Sequence, residues 1–175
     1  PNIRVNYTVT DKADGTRKLL YIADDRKIYL IDMNMNVQFT GVETENDDLK
    51  ETILDGEHIL HNKLGQYINL YAAFDVYFAN GNDVRAAEFI PTIEIETESK
   101  ETESKKAESK KAESKKTERK ITRLEILTNI ISNLNIKGVT GAKQLMRINK
   151  KKFYSTTPEQ TIFQACRKVL QNEED

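Results

Sequence analysis

Lys12-Ala13-Asp14-Gly15-Thr16-Arg17 sits between two strand-forming runs near the N-terminus, and the pattern around it sets the fold class. Before it, Asn6-Tyr7-Thr8-Val9-Thr10 is rich in strand formers. After it, Lys18-Leu19-Leu20-Tyr21-Ile22-Ala23 and Lys27-Ile28-Tyr29-Leu30-Ile31 flank Asp24-Asp25-Arg26, a hairpin signal. Val37-Gln38-Phe39-Thr40-Gly41-Val42 continues the meander, and Thr52-Ile53-Leu54 leads into Asp55-Gly56-Glu57. An apolar run from Tyr67 through Phe78 is closed by the turn Asn80-Gly81-Asn82. Strands joined by tight turns imply antiparallel sheet. Helical patterns further along make the whole α+β.

The composition changes completely from Thr97 to Lys120. The units TESKE, TESKK, AESKK, AESKK and TERKI repeat every five residues with almost no aliphatic side chain. Such a segment cannot bury enough apolar area to offset its ordering entropy, so it reads as a disordered, solvated insertion in a surface loop. Beyond it, Ile121, Leu124, Leu127, Ile131 and Leu134 recur at helical spacing, with Lys137-Gly138 as the stop signal. Met146 to Tyr154 resembles a basic strand. A last helix is expected from Thr157-Pro158-Glu159-Gln160, a capping-box sequence, with Ile162, Phe163, Cys166, Val169 and Leu170 inward. The organisation is therefore 1–96 as the β-rich part of one domain, 97–120 as the insertion, and 121–175 as the continuation of that domain.

A length of 175 residues suits one domain or most of a larger one. The net charge of −1 excludes a global pull toward nucleic acid, so any RNA-facing surface must be local. One cysteine, Cys166, rules out an internal disulfide framework. No apolar run is long enough for a membrane span, and no signal-peptide pattern is present, so no membrane partner is expected.

The polar stretches carry chemistry. A lysine amine attacks phosphorus only when neutral, so a site that uses one must desolvate it or set positive charge beside it. Lys12 is the candidate nucleophile, and Arg17 can supply the charge. Gly15 allows a backbone bend, and Asp14 can anchor the turn. Glu57 suits a ribose hydroxyl or a hard divalent cation. Phe74, in Phe74-Asp75-Val76-Tyr77, offers a ring face for a base. Taken singly, each match is an ordinary polar turn or a core aromatic; their order, each beside a strand, is what counts. His58 and His61 are three apart in a strand and point to opposite faces, which argues against a shared metal ion.

In that order the segments resemble the covalent nucleotidyltransferase superfamily of mRNA capping enzymes and DNA and RNA ligases. Lys12-Ala13-Asp14-Gly15 resembles its motif I, Leu54-Asp55-Gly56-Glu57 its motif III, and Phe74-Asp75-Val76-Tyr77 its motif IIIa. Thr8-Val9-Thr10-Asp11 before the lysine draws the likeness toward the capping enzymes of large cytoplasmic DNA viruses. The resemblance implies antiparallel sheets flanking a nucleotide cleft, with helices packed outside. It implies GTP as substrate, Mg2+ or Mn2+ as cofactor and an RNA 5′ end as acceptor. By it, Lys12 takes GMP, Arg17 contacts ribose or phosphate, Glu57 contacts ribose or metal, and Phe74 stacks on guanine. Thr10 stands where ligases commonly place an adenine-reading glutamate, which favours guanine; Asp55 supports its motif. A cytoplasmic location, a viral factory or a virion, and further capping domains in the same parent chain are implied too.

The likeness covers the first two-thirds of a catalytic domain and reads as C-terminally truncated. Gly138-Val139 and Lys150-Lys151-Lys152 lack the flanking patterns of motifs IV and V. Weak GTP binding and little lysyl-GMP are therefore expected of these 175 residues by themselves. Two alternatives stay open: an ATP-using ligase-type adenylyltransferase, and an inactive nucleotide-fold interaction module. Replacing residues 97–120 by a short Gly/Ser loop should leave the melting temperature within about 3 °C, because loop-closure entropy varies slowly with length. A larger fall in thermal denaturation would show that the repeat packs on the domain.

Overall fold

The computed structural model describes residues 6–92, 120–139, 145–157 and 160–172. Nearly all of the five-residue repeat, and Pro158 and Glu159, lie outside the described residues. The flanks of the repeat are tied together, since Arg123 N donates to Glu88 O at 2.9 Å and Leu124 N to Phe89 O at 3.1 Å.

The hairpin expected around Asp24-Asp25-Arg26 forms between β2 (Thr16–Ile22) and β3 (Lys27–Ile31). It is followed by β4 (Val37–Thr44), β5 (Thr52–His61), β6 (Tyr67–Ala79) and β7 (Asn82–Asp83). Asn80-Gly81 makes the two-residue turn between β6 and β7, with φ of 48° and 73°. That is the pair of positive angles a tight hairpin requires, and Asn-Gly supplies it at least strain. The strands run in the order β7-β6-β5-β2-β3-β4, and β8 (Ile136–Gly138) closes the far edge on β4.

The order is not a simple meander, because β5 lies beside β2 instead of β4, and two further pairings reach more distant segments. The basic segment begins as β9 (Arg147–Lys150), which lies parallel to β6 with Ala73 opposite Lys150. Residues 6–10 do not join the main sheet. Within them, β1 (Thr8–Val9) forms a separate two-stranded ribbon with β10 (Tyr154–Ser155). A parallel or distant partner leaves no local signature, since it is chosen by tertiary packing.

The first helix, α1 (Arg123–Asn133), starts at a capping box in which Thr122 and Glu125 satisfy each other's backbone amides. It buries Leu127 and Ile130. Ile121 precedes the helix and is exposed, and Lys137-Gly138 belong to β8 instead of ending the helix. The second helix, α2 (Ile162–Asn172), starts later than expected. Thr161 and Gln164 exchange the capping bonds, while Thr157 and Gln160 close a turn before it. Its inward face is Ile162, Ala165, Cys166 and Val169, whereas Phe163 and Leu170 are exposed. Cys166 is thus partly buried and not a core residue. Among the described residues no helix is long and apolar enough to cross a membrane.

The core lies between the sheet and α1. Leu20, Ile22, Ile28, Leu30, Val42, Leu54, Tyr71, Ala73 and Val76 meet Leu127, Ile130 and Ile148, and each large side chain contributes about 1.5–3 kcal/mol by leaving water. Arg123 fixes α1 to the sheet through Asp75, with Nε 2.9 Å from its carboxylate.

The pairing of β5 with β6 is uneven. From His61 opposite Tyr67 to Ile53 opposite Phe78, β6 carries three more residues than β5. The extra residues fall at three register shifts. Phe74 stands between the partners of Asp55 and Gly56, Tyr77 between those of Ile53 and Leu54, and one more near Asn69, whose φ is 43°. Each bulge bends and twists the strand.

Gly56 sits beside the first of these. A Cβ there would lie 2.6 Å from the Tyr71 ring and 2.7 Å from Ala72 O. The buried Tyr71 ring crosses this gap, and its hydroxyl reaches Lys18 O at 2.9 Å and Leu54 O at 3.1 Å. Burial keeps that phenol well above its ordinary pKa. Gly56→Ala should therefore cost about 1–3 kcal/mol of stability by overpacking, measured by urea unfolding; an unchanged midpoint would show that Tyr71 can move aside.

Candidate active site

One face of the sheet collects four of the residues singled out from sequence, Arg17, Asp55, Glu57 and Phe74. Arg17 on β2 is opposite Glu57 on β5, Glu57 is opposite Ala72 on β6, and Ala72 is opposite Asn149 on β9. Paired residues in a sheet share a face, so these four form a row across it. On one side of the row is a cleft of about 330 Å3 with Ile59, Leu70, Ala72 and Asn149 along its floor. The loop residues Asp11 and Ala13 and the segment Lys150–Lys152 line it as well. On the other side is a second cleft of about 310 Å3, lined by Arg17, Leu19, Ile31, Asp55 and Tyr77 with Met33 and Met35.

Asp55 is the electrostatic centre of this face. Its carboxylate is only 1% exposed and accepts three bonds. Arg17 Nε donates to it at 3.1 Å, Arg17 Nη2 donates to its second oxygen, and the Tyr77 hydroxyl donates to that same oxygen at 2.6 Å. A buried carboxylate with a bidentate guanidinium partner is a strong, directional pair. The pairing drives the Arg17 pKa further up. The bond to Asp55, with burial, raises the Tyr77 phenol above its usual value. The Arg17 guanidinium also stands 6.0 Å from the Phe74 ring centroid. The bulged residues Phe74 and Tyr77 thus both turn toward Arg17.

Glu57 behaves differently. Its Oε2 is buried and has no hydrogen-bond partner among the described residues. An unpaired buried carboxylate oxygen is costly, and the ligands that would relieve it are a hydroxyl, an ammonium or a hard cation. Among the described residues no three His, Cys, Asp or Glu side chains are grouped to hold a metal. A divalent ion at Glu57 would therefore have fewer than three such side chains around it among the described residues and would draw the rest of its shell from other oxygens, a pattern that suits Mg2+.

Lys12 stands on the exposed loop between β1 and β2. Its side chain is 90% exposed, and its ammonium is 3.6 Å from Asp14, which is equally exposed. Asp14 does not anchor the turn. The loop is held instead through Thr10 Oγ1, which donates to Lys152 O at 2.7 Å, and through Asp11 O, which accepts from Lys151 Nζ at 2.6 Å. Gly15 is needed for close approach: a Cβ there would lie 2.9 Å from His58 O and from the Ile59 side chain.

Arg17, Asp55, Glu57 and Phe74 come together, and the Lys12 loop borders the adjoining cleft. Tyr77 and Lys151 touch these residues without a sequence signal of their own: Tyr77 is the last residue of the Phe-Asp-Val-Tyr run, and Lys151 the middle one of a lysine triplet. His58 bonds Asn69 Oδ1 at 2.9 Å and lies 3.4 Å from Lys18 Nζ. Burial lowers its pKa first and the Lys18 charge adds to that, against the Asn69 bond.

The chain that carries this site has counterparts among known proteins. The family model described as mRNA capping enzyme, catalytic domain, matches residues 3–145, and the chain belongs to that family. A probable mRNA-capping enzyme of Acanthamoeba polyphaga mimivirus is 37% identical over 79 residues, 45% of this chain and 6% of that protein. An mRNA-capping enzyme of African swine fever virus (isolate Pig/Kenya/KEN-50/1950) is 37% identical over 90 residues, 51% of this chain and 9% of that protein. The matched part of the chain thus corresponds to less than a tenth of the length of either relative.

The Asp55 cluster generates a stability test. Asp55→Ala should lower the unfolding free energy by about 1–3 kcal/mol, a range reduced because Arg17 is half exposed and can resolvate. Tyr77→Phe should cost about 0.5–1.5 kcal/mol. Urea denaturation of both variants and their double mutant should show coupling, since the two side chains share one oxygen.

Proposed function

We propose that this domain is the guanylyltransferase part of an mRNA capping enzyme, forming lysyl-GMP on Lys12 from GTP. The Lys12 amine, once it has given up a proton, attacks the α-phosphorus; a P–N bond forms and the P–O bond to pyrophosphate breaks. GMP then passes to the diphosphate 5′ end of an RNA. The observation that carries this reading is the buried Glu57 oxygen, without a partner among the described residues and set beside Arg17 on the face that the Lys12 loop borders. Glu57 accepts from a ribose hydroxyl or ligates Mg2+ or Mn2+, which when bound neutralises phosphate charge. Phe74 offers its ring to guanine. Arg17, fixed by Asp55 and Tyr77, presents a permanent positive charge to ribose or phosphate without having to be ordered on binding. Family membership and the names of the two relatives support capping over ligation. The relatives' length supports further capping domains in the same protein, and their viral source supports a cytoplasmic viral setting.

The test is labelling of the intact protein with α-32P-GTP and Mg2+ or Mn2+, followed by denaturing electrophoresis. A labelled band is expected with GTP and not with ATP, lost in Lys12→Ala and reduced about 100-fold or more in Glu57→Ala. Labelling by ATP only would overturn the assignment in favour of a ligase-type enzyme.

A further inference from the structure

We propose that Lys151 is a positioning residue for the loop that carries Lys12, an inference that rests on reading Lys12 as the nucleophile. The side chain of Lys151 is buried, at 9% exposure, and its Nζ donates to the backbone carbonyl of Asp11, the residue before Lys12, at 2.6 Å. Its own backbone N donates to Ala73 O at 2.8 Å, prolonging the β6–β9 pairing to the residue next to Phe74. One residue therefore links the nucleophile's loop to the strand that bears the base-stacking candidate. The neighbouring carbonyl of Lys152 accepts from Thr10 Oγ1 and adds a second tether.

Two features separate this from ordinary packing. Among the described residues no carboxylate pairs with the Lys151 ammonium, whereas buried charges that serve stability are normally paired. A neutral aliphatic chain would fill the same space without that desolvation cost. What only the ammonium supplies is a charge-assisted donor to the Asp11 carbonyl. Lys150, by contrast, turns its amine to Thr128 on α1 at 2.8 Å, so the three adjacent lysines do not share one role. Reaction rates are sensitive to placement of the attacking atom at the scale of an ångström. A tether one residue from Lys12 acts at that scale.

The experiment compares the wild-type protein with Lys151→Met, Lys151→Arg and Thr10→Val. Hydrogen exchange of residues 10–15, read by mass spectrometry, should be about 10-fold faster in Lys151→Met, as expected for loss of one charge-assisted bond. It should be partly restored in Lys151→Arg and accelerated in Thr10→Val, with exchange in β2, β5 and β6 unchanged. Single-turnover labelling with GTP should show the rate constant for lysyl-GMP formation down about 10-fold or more in Lys151→Met, with half-saturating GTP within about threefold of wild type. Unchanged loop exchange would overturn the proposal, as would uniform acceleration across the sheet with a lower melting temperature. An effect confined to half-saturating GTP would make Lys151 a substrate-binding group instead. If the wild type takes no label, the guanylyl reading fails, and loop exchange still decides the role of Lys151.

Discussion

Everything at the candidate site depends on a length mismatch: β6 has to pair with β5 while carrying three more residues. A regular ladder has no place for them, so they leave it as bulges, and a bulge turns a side chain away from its regular direction. Phe74 and Tyr77 are two of the three, and both come to Arg17. The third shift, near Asn69, sets the amide that holds His58. The irregularity of one strand thus does the work that a loop does in many sites, on a much stiffer support.

Charge is distributed over this frame in two contrasting ways. Asp55 is saturated, with three donors on a buried carboxylate, and it locks the orientation of Arg17. Glu57, two residues along the same strand, keeps a buried oxygen without a partner among the described residues. A satisfied acid builds geometry, whereas an unsatisfied one carries an uncompensated desolvation cost. The Gly56 between them is required by the Tyr71 ring, so the Asp-Gly-Glu run combines a saturated acid, a packing gap and an acid with one oxygen unpaired among the described residues.

Local signals in the sequence are strong in this chain. The hairpin at Asp24–Arg26, the Asn80-Gly81 turn and the long apolar run each announce themselves within a few residues, and the structure has all three. Features set at a distance were not legible. The parallel partner of β6, the ribbon of Thr8–Val9 with Tyr154–Ser155 and the late start of α2 follow from which surfaces meet, not from local propensity. The same limit hid Lys151. As one of three consecutive lysines it has no distinguishing neighbour, and its distinct part emerges only when β9 lies along β6 and brings it to Asp11.

The ribbon at Thr8–Val9 has a consequence for how the molecule is made. Its contacts join residues 145 and 147 positions apart, so the loop bearing Lys12 gains its bonds to Lys151 and Lys152 only when residues 151–155 have left the ribosome and docked. Contacts so distant in sequence carry the entropy of closing the intervening chain, and they form late. The central hairpins can assemble while synthesis continues, with the candidate nucleophile still on a loose arm. Ordering of the lysine loop thus waits on the docking of residues 151–155, a built-in report that this stretch has arrived.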